Sequence, residues 1–152
     1  MRREMRDEAE AFALVIETSL LDAHQAVEWA RDLMATGAGS VDDLVDIAGA
    51  IRPHPLDAVA MLRRLPGTSD PVRLFRIVLR HAADLLRAQP DAWPRVTRAL
   101  EQIALRVDLP EELAEPCRRL DDERALAEQG SYGDIDDVHA ELLAFLELHA
   151  EP

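Results

Sequence analysis

Apolar residues recur at helical spacing along most of this chain, and the pattern predicts a series of short amphipathic helices. In the first segment, between residues 4 and 21, the apolar positions fall three or four residues apart, at Phe12, Val15, Ile16 and Leu20. Residues at these offsets share one face of an α-helix, so the segment is expected to bury that face against a neighbour. Similar stripes follow to the end of the sequence.

Capping and breaking residues predict where the later helices begin and end. Asp22 can accept hydrogen bonds from the free amides of a second helix, which Gly37 and Gly39 end, and Ser40 offers the same acceptor to a short third helix. Pro116 lies inside a helical pattern and is predicted to kink or split it, because proline lacks an amide donor. The remaining helices are predicted over residues 55–65, 70–89, 93–107 and 110–129, with a last one from about residue 134.

No stretch alternates with a period of two for long enough to indicate a strand. A chain of 152 residues is close to the usual size of one domain. We therefore expect an all-α fold, with residues 1–152 forming a single domain of about seven or eight short helices. Short loops favour antiparallel hairpins, packed as a bundle or as a compact helical array.

Charge is unevenly distributed along this sequence, whose net charge is −13. All 17 basic residues are Arg. Residues 1–62 carry a balance of −7, residues 63–106 a balance of +5, and residues 107–152 a balance of −11. A basic middle between two acidic ends constrains how the molecule meets a partner.

The basic middle contains a ridge of four arginines on the predicted fifth helix. At about 100° per residue, Arg73, Arg76, Arg80 and Arg87 project to one side, with Asp84 beside them. The ridge either pairs with acids of the same chain, stays solvated, or recognises a partner. Nucleic acid is not an expected partner, because the net charge repels a polyanion and few aromatic residues accompany the arginines.

The acidic residues are most concentrated around the last helix, at Asp134, Asp136, Asp137 and Glu141. Acids at a helix start satisfy free amides and complement the helix dipole, so capping and solubility are one interpretation. The other interpretation is a docking surface that attracts a basic protein. Tyr132, in the loop before this helix, is a candidate contact residue on that surface.

The sequence predicts neither a cofactor nor a metal site. The five histidines are not paired with each other or with Cys117 at ligand spacing, and no nucleophile or phosphate-binding motif is present. With one cysteine, no disulfide can form within the chain. No apolar run is long enough to cross a membrane, so we expect a cytoplasmic protein without a membrane partner.

Two stretches carry a resemblance to known proteins: Ser19-Leu20-Leu21-Asp22-Ala23 continuing to Val27-Glu28-Trp29-Ala30, and Gly130-Ser131-Tyr132-Gly133-Asp134 leading into Phe145-Leu146. They resemble segments of small acidic helical bacterial proteins of uncharacterised function, some of which are similar to immunity partners of polymorphic toxins. The resemblance implies a binding protein and assigns no functional residue.

The leading functional hypothesis is a non-enzymatic protein-binding module, immunity-like in that it neutralises a basic partner through its acidic C-terminal surface. An alternative is a helical scaffold or homo-oligomer in which the Arg ridge of one subunit meets the acidic face of another. A third is an enzyme whose acid or histidine site assembles only in space.

Overall fold

The computed structural model describes residues 2–38, 40–131 and 133–152. It confirms the all-α prediction, because these residues form eight α-helices and one short 3-10 helix and contain no strand. The helices are α1 Arg2–Glu17, α2 Ala23–Thr36, α3 Val41–Ala48, α4 Pro55–Arg63, α5 Pro71–Ala88, α6 Trp93–Ala104, α7 Glu111–Glu128 and α8 Ile135–His149, with the 3-10 helix at Pro90–Ala92.

Backbone contacts divide the chain into two compact units, Met1–Leu74 and Phe75–Pro152. In the first unit α1 packs against α4 and α2 packs against α3. In the second unit α6 packs against α7, and α7 packs against α8. The expectation that residues 1–152 form one domain stays a prediction.

Local capping chemistry explains several helix ends in the first unit. Asp22 accepts a hydrogen bond from the amide of His24 at 2.8 Å, as predicted. Gly37 ends α2 in the left-handed region, at a φ of 72° that favours glycine. The prediction for Ser40 is wrong in part, because it occupies the capping position without a side-chain hydrogen bond. Gly39 lies outside the described residues.

A buried carboxylate organises the start of α5 in the first unit. Asp7 is 2% exposed and accepts hydrogen bonds from the Asp70 amide at 2.8 Å and from Nη1 of Arg73 at 2.9 Å. Asp70 itself accepts from the amides of Val72 and Arg73, at 3.0 and 3.3 Å, and Pro71 stands at the first helical position. The predicted start of this helix near residue 70 is thereby confirmed, with a capping Asp followed by Pro at the first helical position.

The core of the second unit is mainly aliphatic, in keeping with the low aromatic content of the chain. Its fully buried side chains include Phe75, Leu79, Leu100, Ile103, Leu113, Leu120 and Leu142. These residues recur at helical spacing within their own helices, so burial follows the apolar stripes that the sequence shows.

The predicted split at Pro116 is wrong, because α7 runs without interruption from Glu111 to Glu128. Proline removes one hydrogen bond, to the carbonyl of Glu112, and leaves the others of the helix available. Leu113, on one side of the proline, and Cys117 and Leu120, on the other, are all buried. Burial of one apolar face on both sides of Pro116 favours a continuous helix over two separate ones.

Cys117 is expected to resist alkylation in the folded protein. The thiol is buried, and burial raises its pKa to about 12, so the reactive thiolate is scarce at neutral pH. Iodoacetamide labelling at pH 7.5, followed by mass spectrometry, should leave the native protein unmodified and should modify the protein in denaturant. Complete labelling of the native protein within minutes would contradict this burial.

Candidate protein-binding surface

The start of α8 presents three acids to solvent. Asp134 accepts a hydrogen bond from the amide of Asp136 at 2.8 Å and thereby caps the helix. Asp136 and Asp137 lie in its first turn, where their charge complements the helix dipole. All three residues are exposed, and none forms an ion pair with another residue that the structure describes.

The rest of α8 adds acids and no Arg or Lys. From Ile135 to His149 it contains four acids, Asp136, Asp137, Glu141 and Glu147. We call Asp134 together with these four residues the acidic surface of α8. Its negative charge has no basic side chain on the same helix to offset it, apart from the two histidines at positions 139 and 149.

Glu141 is the one member of this surface with a guanidinium partner in the described part of the chain. Its Oε2 lies 2.6 Å from Nη1 of Arg119 on α7. Arg119 also contacts Glu115 at 3.0 Å and Glu123 at 3.4 Å, so three carboxylates surround a single cation. The hydrogen bond to Glu141 raises the pKa of Arg119 above its already high ordinary value. One guanidinium offsets only one of these three carboxylates, so the net charge around Arg119 remains negative.

The other arginines of α7 are also paired with acids of the same helix. Arg118 contacts Glu111 in an exposed pair, and Arg124 contacts Asp121 and Glu128. From Glu111 to Glu128 the helix has seven acids and three arginines. Consequently α7 contributes further negative charge next to α8.

The arginines of the predicted ridge are largely paired within their own units. Arg73, in the first unit, contacts the buried Asp7. In the second unit, Nη1 of Arg80 lies 3.5 Å from Oε2 of Glu151, and Nη1 of Arg87 lies 2.5 Å from Oδ1 of Asp84. Arg76 is exposed, and its carbonyl accepts a hydrogen bond from the Glu151 amide at 3.1 Å. These contacts favour internal pairing as the main role of the ridge.

Tyr132, the remaining predicted contact residue, lies outside the described residues. The glycines on either side of it have positive φ, 70° at Gly130 and 82° at Gly133. These left-handed conformations explain why the sequence places glycine at both positions before α8.

An aromatic stack next to the acidic surface was not predicted from sequence. The rings of Trp93 on α6 and His139 on α8 lie 5.0 Å apart with an interplanar angle of 13°. Both residues are half-buried. Helical periodicity places each ring on its own helix, but only the fold brings residues 46 positions apart in sequence together.

A buried polar network between α6 and α7 was also missed. The Arg124 side chain is 7% exposed, and it donates to Thr97 Oγ1 at 2.9 Å and to Asp121 Oδ1 at 2.9 and 3.1 Å. Burial raises the pKa of the nearby Glu101, as do a hydrogen bond with Asp121 and the charges of Asp121 and Asp122, while Arg124 opposes the shift. The network links the two helices through Thr97, Asp121 and Arg124 and includes none of the acids of α8.

In the described part of the chain, no three residues among His, Cys, Asp and Glu are grouped so that they could hold a metal ion. The described helices also include none whose length and apolarity would suit a membrane span. No protein-family model matches the sequence, and comparisons with curated proteins and with solved structures give no significant match. The surface must therefore be interpreted from its own charges and contacts.

Proposed function

We propose that this protein is a binding module for a basic protein and that the acidic surface of α8 is where the partner docks. The module acts by occupying its partner rather than by transforming it. A protein that neutralises a cationic effector in the cytoplasm, as an immunity protein does, is the class that this proposal favours.

The observation that supports the proposal is the contrast between the charges of α7 and those of α8. The three arginines of α7 all contact carboxylates of the same unit. Asp134, Asp136, Asp137 and Glu147 form no ion pair with any residue that the structure describes. Exposed charge of one sign accelerates encounters with a partner of the opposite sign and disfavours partners of the same sign.

The test is a variant that removes three of these charges, Asp136→Asn/Asp137→Asn/Glu147→Gln. We expect its affinity for the partner to fall about tenfold, because each exposed ion pair contributes up to about 1 kcal/mol and 1.4 kcal/mol corresponds to tenfold. Glu141 is left unchanged, since its removal would also release Arg119. The measurement is affinity capture from an extract of the source organism, with the retained proteins quantified by mass spectrometry at low and high salt.

The matched control removes three acids from the first unit, Asp42→Asn/Asp43→Asn/Asp46→Asn. Asp42 and Asp43 lie in the first turn of α3 as Asp136 and Asp137 do in α8, so both variants lose equivalent helix-dipole contacts. The control should retain the same basic proteins as the wild type. Equal retention by both variants, or retention of no basic protein by the wild type, would rule the proposal out.

A further inference from the structure

An open apolar groove lies between α5 and α8 in the second unit. It encloses about 490 Å³. Its apolar lining residues are Ala83, Leu86, Leu143, Leu146, Ala150 and Pro152. Leu86 and Leu146 are buried, whereas Leu143 is 46% exposed. The groove therefore offers aliphatic surface that another apolar group can still cover.

Two of the three charged residues that line this groove are paired with an opposite charge. Arg87 is neutralised by Asp84 at 2.5 Å, and Glu151 lies beside Arg80 at 3.5 Å. Glu147 is exposed on the α8 side of the groove.

The acidic surface of α8 continues along this groove. At 100° per residue, Asp136, Leu143 and Glu147 lie within about 40° of one another on α8. The exposed leucine is therefore preceded and followed by acids on the same side of the helix.

We infer that the groove receives the apolar face of an amphipathic helix belonging to the partner, with Arg or Lys residues on that helix facing Asp136 and Glu147. This inference rests on the proposed function and specifies which element of the basic partner is recognised. A helix that lies in an apolar groove contributes side chains spaced three or four residues apart, and charges beside them fix its direction.

The same charges argue against two other occupants. A second copy of this chain would bring another net charge of −13 to an acidic rim, so repulsion opposes self-association. A small ligand is usually oriented by a few converging polar groups. Six of the nine residues that line this groove are apolar, and two of its three charged residues, Arg87 and Glu151, are already paired with Asp84 and Arg80.

The test uses three labelled synthetic peptides of about 15 residues, long enough to form a helix. One places Leu on a single helical face with Lys elsewhere, the second has the same composition in scrambled order, and the third replaces Lys by Glu. Fluorescence anisotropy with the full chain should show that the amphipathic Leu/Lys peptide binds at least tenfold more tightly than the other two, because it alone combines the apolar face with the complementary charge.

The decisive variant is Leu143→Gln, with Leu148→Gln as its control. Leu148 is on the same helix, is 76% exposed and is not part of the groove, so both substitutions remove one exposed leucine without changing the charge. We expect Leu143→Gln to weaken the Leu/Lys peptide about tenfold or more and Leu148→Gln to leave its affinity unchanged. Because Leu143 is exposed, the variant should fold, which circular dichroism verifies.

The outcomes separate this inference from the function on which it rests. Equal binding of the amphipathic and scrambled Lys peptides, reduced by Asp136→Asn/Asp137→Asn/Glu147→Gln, would overturn the groove and leave the acidic surface as the docking site. Absence of peptide binding, or equal effects of the two leucine variants, would also overturn the groove. A dimer in ultracentrifugation that Leu143→Gln dissociates would show that a second copy is the occupant and would overturn the inference.

Discussion

Replacing Arg124 by Met is expected to lower the free energy of unfolding by about 3 to 5 kcal/mol, because it leaves a buried carboxylate without its cation. The side chain of Asp121 is 14% exposed and accepts two of the Arg124 hydrogen bonds. Met retains much of the side-chain volume, so the loss comes mainly from the unpaired Asp121 and not from a cavity. Urea denaturation followed by circular dichroism measures the change.

Two further variants identify the cause of this loss. Arg118→Met removes an arginine from the same helix, but its pair with Glu111 is exposed on both sides, so less than about 1 kcal/mol should be lost. Arg124→Met/Asp121→Leu removes the buried charge together with its partner and should recover most of the stability. If Arg124→Met and Arg118→Met destabilise the protein equally, the Arg124 network is not the stabilising element described above.

Acidification should destabilise the protein through His81. Burial and, to a smaller extent, the charge of Arg80 lower the pKa of this histidine from 6.5 to about 4, against the opposing effect of Asp84. Above pH 6.5 neither the folded nor the unfolded protein is protonated at this site. As the pH falls from 6.5 towards 4, the unfolded protein binds the proton first, so stability is progressively lost, and below pH 4 the loss is complete.

The expected contribution of His81 is about 2 to 3 kcal/mol between pH 7 and pH 4.5, at about 1.4 kcal/mol for each tenfold difference in proton affinity. His81→Leu should therefore lose less stability than the wild type over this range. His24→Leu is the matched substitution at an exposed histidine, where burial plays no part. Parallel stability curves for wild type and His81→Leu would exclude His81 as the cause.

The features predicted correctly from sequence are those that depend on neighbours a few residues away. Asp22, Asp70 and Asp134 each accept a hydrogen bond from the amide two residues later in the chain. Their capping roles can therefore be predicted from the local sequence. The apolar stripes likewise predict which faces are buried. Helix ends are less well defined, and α6 ends at Ala104 rather than at residue 107.

The features missed or mispredicted depend on residues that are distant in sequence. Arg73 lies on a predicted ridge, but its role is decided by Asp7, 66 positions earlier. Arg124 donates a hydrogen bond to Thr97, 27 positions earlier, and no sequence pattern around either residue indicates this contact. The local signal at Pro116 predicted a kink or a split, and the split is wrong, because burial on both sides favours a continuous helix.

The acids of the acidic surface of α8 differ in how their charge affects the stability of the helix. Asp134, Asp136 and Asp137 stand at the positive end of the helix dipole, where a carboxylate stabilises the helix whether or not a partner exists. Glu147 stands in the last turn, at the negative end, where the same charge opposes the dipole. Among the acids of this surface, Glu147 alone neither lies at the N-terminal end of the helix nor pairs with an arginine that the structure describes, so its position beside the apolar groove is locally unfavourable for the helix.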